Sequence, residues 1–388
     1  MKKERMKMEL SEIRSQLDNV DAQLLDLFLQ RMSLIDKVAD IKKRDPAKPL
    51  YDPAREREIL MKIREKAGTE YGDSAHQLFR MVLELSRARQ AAQLIPATSV
   101  AARVAAMCAH EQSVFPQSGR VAVSGVEGSH AGAAADRLFP KGNIIFMDGF
   151  AAVVHAVQAG LCQFGILPVE NSVQGSVRQV YDLLREPDIC IVRSVRLLIR
   201  HVLLTQKDAQ LSDLKTVYTH EQAAGQCSRF LQSIGVDVIP CVSTAHAAQR
   251  AAEAQDKSVA AIAGEACAKL YGLSVLTDDI QNECNNDTRF LCITKGASCY
   301  AGADRMSILV NCANSPGALY QMIAKISALG INMCKLESMP IPGTNFSYRF
   351  YMDLECNLHQ DGVLGLLCEM ERSCDSFTLL GNYTEMIG

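Results

Sequence analysis

Arg31 falls on an apolar seam. Leu10, Ile13, Leu17, Val20, Leu24, Leu27, Leu34, Val38 and Ile41 recur at helical spacing around it, the pattern of one helix of about 33 residues with a narrow apolar stripe. A cation on such a stripe is expensive unless it is paired, so Arg31 either meets an acid of a helical bundle or lines a pocket for an anion. Lys42 lies eleven residues on, only about 20° away in helical phase and about 16 Å along the axis. Two long cations so placed can grip a small anionic molecule from both ends. Ser86 and Gln90 continue the ridge begun by Val82 on a later helix, so polar groups stand where apolar ones are expected. Arg55 and Glu56 follow Asp52 in the first turn of another. Arg14 is about 25 Å from Arg31 along the helix and about 100° round it. One small ligand cannot bridge the two within a helix, so a site using both takes Arg14 from a second chain.

A second set of polar residues follows strand-like runs. It comprises Gly125-Val126-Glu127-Gly128-Ser129, Pro168-Val169-Glu170-Asn171-Ser172, Tyr218-Thr219-His220-Glu221-Gln222 and Ser243-Thr244. The carboxyl ends of strands in open α/β sheets are where ligands bind. The glycine turn lacks the third glycine of a dinucleotide fingerprint, and no G-K-[ST] follows it to make a P-loop. Ser243-Thr244 reads first as a helix N-cap, and His220 equally well as a satisfied surface or core histidine. Asn286-Asp287-Thr288-Arg289-Phe290 enters the last strand of this region after a polar run.

The elements that must position these groups fall into three stretches. Residues 1–95 are net basic, free of Cys, and read as three helices: the long one, ended by Asp45-Pro46; one capped by Asp52 with Pro53 at its first position and Gly68 at its end; and one starting near Asp73-Ser74. The Ala-rich stretch 96–118 reads as a linker, helical in part. Residues 119–298 alternate strands (120–124, 164–169, 189–204, 214–218, 236–240, 258–263, 289–294) with helices, which argues for a mostly parallel α/β sheet. Residues 304–388 read as βαββαβ, a ferredoxin-like α+β sandwich.

Composition excludes several classes. The 388 residues carry a net charge of −3 with a pI near 6.3, which argues against a general nucleic-acid or acidic-membrane binder. No run of about 18 apolar residues is present, and the basic start is followed by no apolar core of a signal peptide. The 14 Cys form no C-x-x-C pair, so zinc and thioredoxin-type readings fail, and no metal or cofactor is expected. Reduced thiols fit a cytoplasmic enzyme.

As a set, Arg14, Arg31, Lys42, Asp52, Arg55, Glu56, Ser86 and Gln90 resemble the all-helical chorismate mutases. By that resemblance Arg14 and Arg31 hold carboxylates, Lys42 and Gln90 donate to the ether oxygen, Asp52 and Glu56 attend the ring hydroxyl, and Ser86 supports a carboxylate. The V-E-N-S, T-H-x-Q and T-R-F motifs resemble the prephenate dehydratases, which share a two-lobed, periplasmic-binding-protein-like fold. That likeness implies Thr288 as the essential residue, Arg289 as a carboxylate anchor, and a cleft lined by Ser129, Glu170, Asn171, Thr219, Gln222 and Gln226. Val126 and Thr219 replace the usual Pro and Ser. Ser315-Pro316-Gly317-Ala318-Leu319 and Leu336-Glu337-Ser338-Met339-Pro340 resemble the effector motifs of the ACT domain, with Met339 in place of an Arg. There the likeness implies L-phenylalanine bound at a subunit interface by Gly317, Ala318, Leu319, Glu337 and Ser338. The whole chain is similar to the bifunctional chorismate mutase–prephenate dehydratases of phenylalanine biosynthesis, with chorismate and prephenate as substrates and a homodimer or higher oligomer as assembly. A plain dimerisation sandwich is the alternative for residues 304–388. For the whole chain the alternatives are an arogenate dehydratase, or a ligand-sensing binding protein with a vestigial mutase.

Overall fold

In the computed structural model the apolar seam does lie on one helix, α1 (Lys2–Arg44), longer at both ends than its periodicity requires. The structure describes residues 2–44, 52–94, 98–186, 188–283, 285–312, 315, 317–341, 343 and 347–387. The expected helix stop at Asp45-Pro46, Pro316 of the first effector motif and part of the turn at 340–343 lie outside these. The chain divides into two units, Met1–Thr98 and Ser99–Gly388.

In the first unit α1 packs on α2 (Pro53–Leu94). Asp52 caps α2 as expected: its Oδ1 accepts from the Arg55 N–H at 3.0 Å, satisfying a donor that the first turn leaves unpaired. The second and third expected helices are separate helices that meet at a break inside α2. Their junction is Gly68, at φ 72 and ψ −173, a conformation open to glycine and costly for other residues. The reversal there brings Gly72 against the Arg64 carbonyl, where a Cβ would stand 3.1 Å away. Arg89 braces the two helices bidentately, Nε to Asp36 Oδ1 at 2.8 Å and Nη2 to Oδ2 at 3.1 Å. Ala39 and Leu83 are buried, yet Leu17, Leu24 and Leu34 remain 53–59% exposed. Burying one such side chain is worth about 1.5–3 kcal/mol, a stabilisation these exposed leucines do not contribute in the single chain.

The second unit starts with α3 (Ser99–Ala109), within the expected linker. Its Val100, Val104 and Met107 are buried, and Glu371 accepts from the Val100 N–H, so most of the stretch is core rather than tether. The α/β region follows as β1 (Arg120–Ser124), α4 (His130–Leu138), β2 (Asn143–Met147), α5 (Phe150–Gln158), β3 (Phe164–Asn171), β4 (Gly175–Ser176), α6 (Arg178–Leu183), β5 (Ile189–Leu198), β6 (Val202–Thr205), β7 (Thr216–His220), α7 (Glu221–Gln226), α8 (Ser228–Ile234), β8 (Asp237–Cys241), α9 (Thr244–Ala254), β9 (Val259–Ala263), α10 (Ala266–Tyr271), β10 (Ser274–Thr277) and β11 (Asp287–Lys295). It forms two lobes. One carries the sheet order β5-β11-β3-β1-β2, the other β10-β6-β9-β7-β8. Both are mixed: β1 pairs parallel with β2 and β3, but β11 is antiparallel to β3 and β5, and β6 is antiparallel to β9 and β10. The expectation of a mostly parallel sheet is corrected accordingly. The apolar run 189–204 splits at residues 199–201, where the chain crosses from the first sheet to the second; β11 returns to the first.

The remaining elements are β12 (Arg305–Asn311), α11 (Ala318–Ala328), β13 (Asn332–Pro340), β14 (Tyr348–Glu355), α12 (Val363–Ser373) and β15 (Ser376–Ile387), with sheet order β13-β14-β12-β15. This sheet is continuous with that of the first lobe. β15 runs past Asn382, and Thr384–Ile387 pair in parallel with Arg193–Arg196 of β5. Gly381 allows the crossing, since a Cβ there would overlap the Ile191 carbonyl.

Candidate functional site

Two constellations emerge, one per unit. In the first, Arg31 is half-buried between α1 and α2. Its Nη1 donates to Ser86 Oγ and, at 3.4 Å, to the Val82 carbonyl. Burial pushes its guanidinium down, opposed by the nearby Glu56 carboxylate. Ser86 and Gln90 are both buried, at 3% and 7% exposure. Gln90 Nε2 makes one long bond to the Ser86 carbonyl at 3.4 Å, and its Oε1 is buried without a partner. Such an orphan is costly; Nε2 keeps a second proton beyond its bond to Ser86. Glu56 receives Arg87, a partner that sequence spacing does not indicate. Arg55 turns to Glu58 at 2.8 Å, on the exposed side. Lys42 is half-buried near the end of α1, and Arg14 is exposed, 17 residues before Arg31. The structure thus gathers Arg31, Glu56, Ser86 and Gln90, leaves Arg14 apart, and uses Asp52 as a cap.

The second constellation is a cleft of about 470 Å³ between the lobes. Ser129, His130, Asn171 and Thr288 reach it from the first lobe, and His220, Gln222, Gln226 and Ser243-Thr244 from the second; His201 and Asn286 stand at the crossovers. The glycine turn brings its wall into place: Cys267 Sγ and Tyr271 OH of α10 bond to the carbonyls of Gly128 and Glu127 at 3.4 and 3.1 Å. Ser129 then caps α4 by accepting from the Gly132 N–H at 3.2 Å.

A hydrogen-bond chain runs along the floor, and its donors and acceptors can be assigned. Asn171 Oδ1 accepts from the Val173 and Gln174 N–H groups at 3.0 and 2.9 Å, which fixes its amide. Asn171 Nδ2 therefore donates both protons, to Asn286 Oδ1 at 2.7 Å and to Thr288 Oγ1 at 2.9 Å. Thr288 is an acceptor in that bond and keeps its own proton for the cleft. Asn286 Nδ2 donates to Gln226 Oε1 at 2.9 Å. His201 Nε2 meets the same oxygen at 2.8 Å, so Nε2 carries the proton and Nδ1 is bare. His201 is 3% exposed and Nδ1 has no partner; burial lowers its pKa, with Gln226 opposing. His130, its ring 5.9 Å away, is lowered to about 4 by burial and by His201. Both imidazoles are neutral at pH 7.

Three expected cleft residues lie elsewhere. Glu170 pairs with Lys335 of β13 at 2.6 Å. Arg289 is buried against Asp353 and Glu385, with its Nη2 on Tyr383 OH at 2.9 Å. Each is one residue from a cleft side chain, and successive strand residues face opposite sides. Thr219 is fully buried with its hydroxyl on the Ile262 carbonyl at 3.2 Å. His130, His201 and Gln174 carry no local signal in the sequence; their placement comes from lobe contacts alone.

Of the effector-motif residues, Gly317 has φ 83 at the start of α11, and Ala318 and Leu319 open that helix. Glu337 accepts from Ser176 Oγ at 2.7 Å, Ser338 is exposed, and Met339 is buried in the cluster with Leu309 and Tyr351.

Fold and sites together define a multidomain class, a helical unit holding a half-buried Arg31 and, later in the chain, a two-lobed cleft. A family model described as chorismate mutase type II matches residues 13–91, and one described as prephenate dehydratase matches 121–298. The bifunctional chorismate mutase/prephenate dehydratase of Escherichia coli (strain K12) is 30% identical over 378 residues, covering 96% of this chain and 95% of that one. Arogenate dehydratase/prephenate dehydratase 2, chloroplastic, of Arabidopsis thaliana is 33% identical over 276 residues, 68% of this chain and 72% of its own. Among solved structures, prephenate dehydratase from Arthrobacter aurescens in complex with L-Phe superimposes with TM-score 0.63 and 27% identity, covering 68% of this chain and 89% of that one. The chain belongs to the bifunctional chorismate mutase/prephenate dehydratase family, and its dehydratase region has the periplasmic-binding-protein-like fold.

Proposed function

We propose that this enzyme rearranges chorismate to prephenate in its helical unit and converts prephenate to phenylpyruvate in its cleft, under feedback by L-phenylalanine. The observation that carries the reading is the Asn171–Thr288 pair, in which Thr288 accepts and so keeps its own proton to donate within a cleft whose described lining has no Lys, Arg, Asp or Glu.

In the mutase step an ether C–O bond breaks as a C–C bond forms, with no covalent enzyme intermediate. The protein contributes positioning and stabilisation of charge on the ether oxygen. Arg31, held by Ser86, takes a carboxylate; Gln90 and Lys42 face the oxygen. Arg14 comes from a second chain, which also covers the exposed seam, so the unit works as a dimer. In the dehydratase step the ring carboxylate leaves as carbon dioxide, its C–C electron pair completes the aromatic ring, and the departing hydroxide takes up one proton, supplied in net from solvent, to leave as water. Thr288 donates a hydrogen bond to the departing oxygen while Asn171 holds it in place.

Residues 119–298 are read as the dehydratase domain and 304–388 as a ferredoxin-like ACT domain that binds L-phenylalanine beside Gly317 and Ser338. The βαββαβ order supports this, as does the Arthrobacter match, whose span exceeds residues 121–298. Free thiols at all thirteen described cysteines fit the cytoplasm. Activity on arogenate is the second reading, favoured by the Arabidopsis relative. Assaying phenylpyruvate from chorismate and from prephenate, phenylalanine from arogenate, and inhibition by L-phenylalanine tests these statements. A protein inert on chorismate and prephenate refutes the main reading.

A further inference from the structure

The dehydratase reading requires a dianion to be held in a cleft with no cation. Among the described residues lining the 470 Å³ cleft there is no Lys, Arg, Asp or Glu; of its three histidines His130 and His201 are neutral, and His220 Nδ1 accepts from the Gln222 N–H at 3.3 Å as the cap of α7. The expected anchor, Arg289, is committed to Asp353 and Glu385 on the other face of the sheet. Neutral donors at the starts of α4 and α9 can meet one carboxylate. The second needs a countercharge if substrate is to be bound from dilute solution.

A second chamber of about 370 Å³ adjoins the cleft and shares Gln174, Gln222, Gln226 and Asn286 with it. The one cation among its described lining residues is Arg229, near the start of α8; the one carboxylate is Glu283, which forms no ion pair with Arg229. The backbone of Arg229 is fixed. Its N–H donates to Asn282 Oδ1 at 3.2 Å, while Asn282 Nδ2 donates to the Gly225 carbonyl and to Ser228 Oγ at 3.1 and 3.0 Å. The guanidinium makes no hydrogen bond or ion pair with the described residues.

Resting on the dehydratase reading, we infer that Arg229 is a substrate-binding residue: it takes the side-chain carboxylate of prephenate in the outer chamber, while the ring carboxylate and hydroxyl lie in the cleft beside Thr288. The ring carboxylate thereby stays among neutral groups, which suits a group that must lose its charge as carbon dioxide. Arg229 contributes affinity and orientation, and no proton transfer.

The test uses the full-length protein and two readouts. Arg229→Ala is expected to raise KM for prephenate at least tenfold with kcat within about threefold, to flatten the dependence of KM on ionic strength, and to leave chorismate mutase activity unchanged. Arg229→Lys should restore most of the affinity. Calorimetric binding of prephenate is measured in parallel in a Thr288→Ala background with and without Arg229→Ala, and should show the same loss. Unchanged KM and binding, or a loss confined to kcat, overturns the inference. Absence of turnover in the wild type would instead sink the dehydratase reading, and the binding comparison would still decide the role of Arg229.

Discussion

Asn171 and Thr288 stand directly opposite each other in the β3–β11 ladder, joined by a 2.9 Å hydrogen bond. The adjacent pair in the register, Glu170 and Arg289, faces the other way, onto β13, β14 and β15. Two neighbouring cross-strand pairs thus join the cleft to the C-terminal sheet.

Arg289 is a structural residue by this geometry. Arg289→Ala leaves Asp353, fully buried, without its countercharge, and breaking a buried pair in this way costs about 3–5 kcal/mol. The expected outcome is a markedly lower unfolding midpoint of the dehydratase unit in calorimetry. A normal midpoint combined with a raised KM would restore the carboxylate-anchor role.

Lys335 ties the effector-like motif of β13 to Glu170, the neighbour of Asn171 on β3. Its Nζ lies 2.6 Å from Glu170 Oε1 and 3.2 Å from Ser176 Oγ, and Ser176 in turn donates to Glu337. Lys335→Ala is expected to weaken inhibition by L-phenylalanine at least fivefold, within the usual range of allosteric coupling, while calorimetry still detects the ligand. Unaltered inhibition would show that coupling runs elsewhere.

Thr288, Asn171 and Gln222 are legible in the sequence because polar runs at strand ends mark open α/β sites. Glu170 and Arg289 are misplaced by the same logic for a physical reason: a motif of adjacent strand residues divides between two faces. Asp52 and Gly68 declare themselves through local capping and φ chemistry. The fusion of β15 to β5 and the Arg89–Asp36 brace depend on contacts between residues far apart in the chain, which no local pattern encodes.

The paired histidines set a pH response. His130 and His201 both have folded pKa values below the ordinary one, His130 at about 4. The unfolded chain therefore binds more protons as pH falls below about 6.5. Stability from these two groups is fully present above that pH and drains away towards pH 4, by at most about 1.4 kcal/mol per pH unit for each. Denaturant midpoints measured between pH 7 and 4.5 should fall, and His201→Gln should reduce the slope. An unchanged slope would remove His201 from this account.

The proposed sharing of the mutase site between two chains can be tested by complementation. Arg14→Ala and Arg31→Ala homodimers should each be nearly inactive on chorismate. Mixing and refolding the two subunits should return about a quarter of wild-type activity, because half of the dimers are mixed and each of those holds one intact site. No recovery would mean that Arg14 serves no site across the interface.

The most direct test of the central claim is the fate of chorismate in Thr288→Ala. Removing the hydroxyl that assists departure should slow phenylpyruvate formation by about 10²–10³-fold, the usual loss for one donor aimed at developing charge. The helical unit should continue to turn over. Each chorismate consumed should appear as accumulated prephenate. Undiminished phenylpyruvate, or loss of chorismate turnover in a folded Thr288→Ala protein, would contradict it.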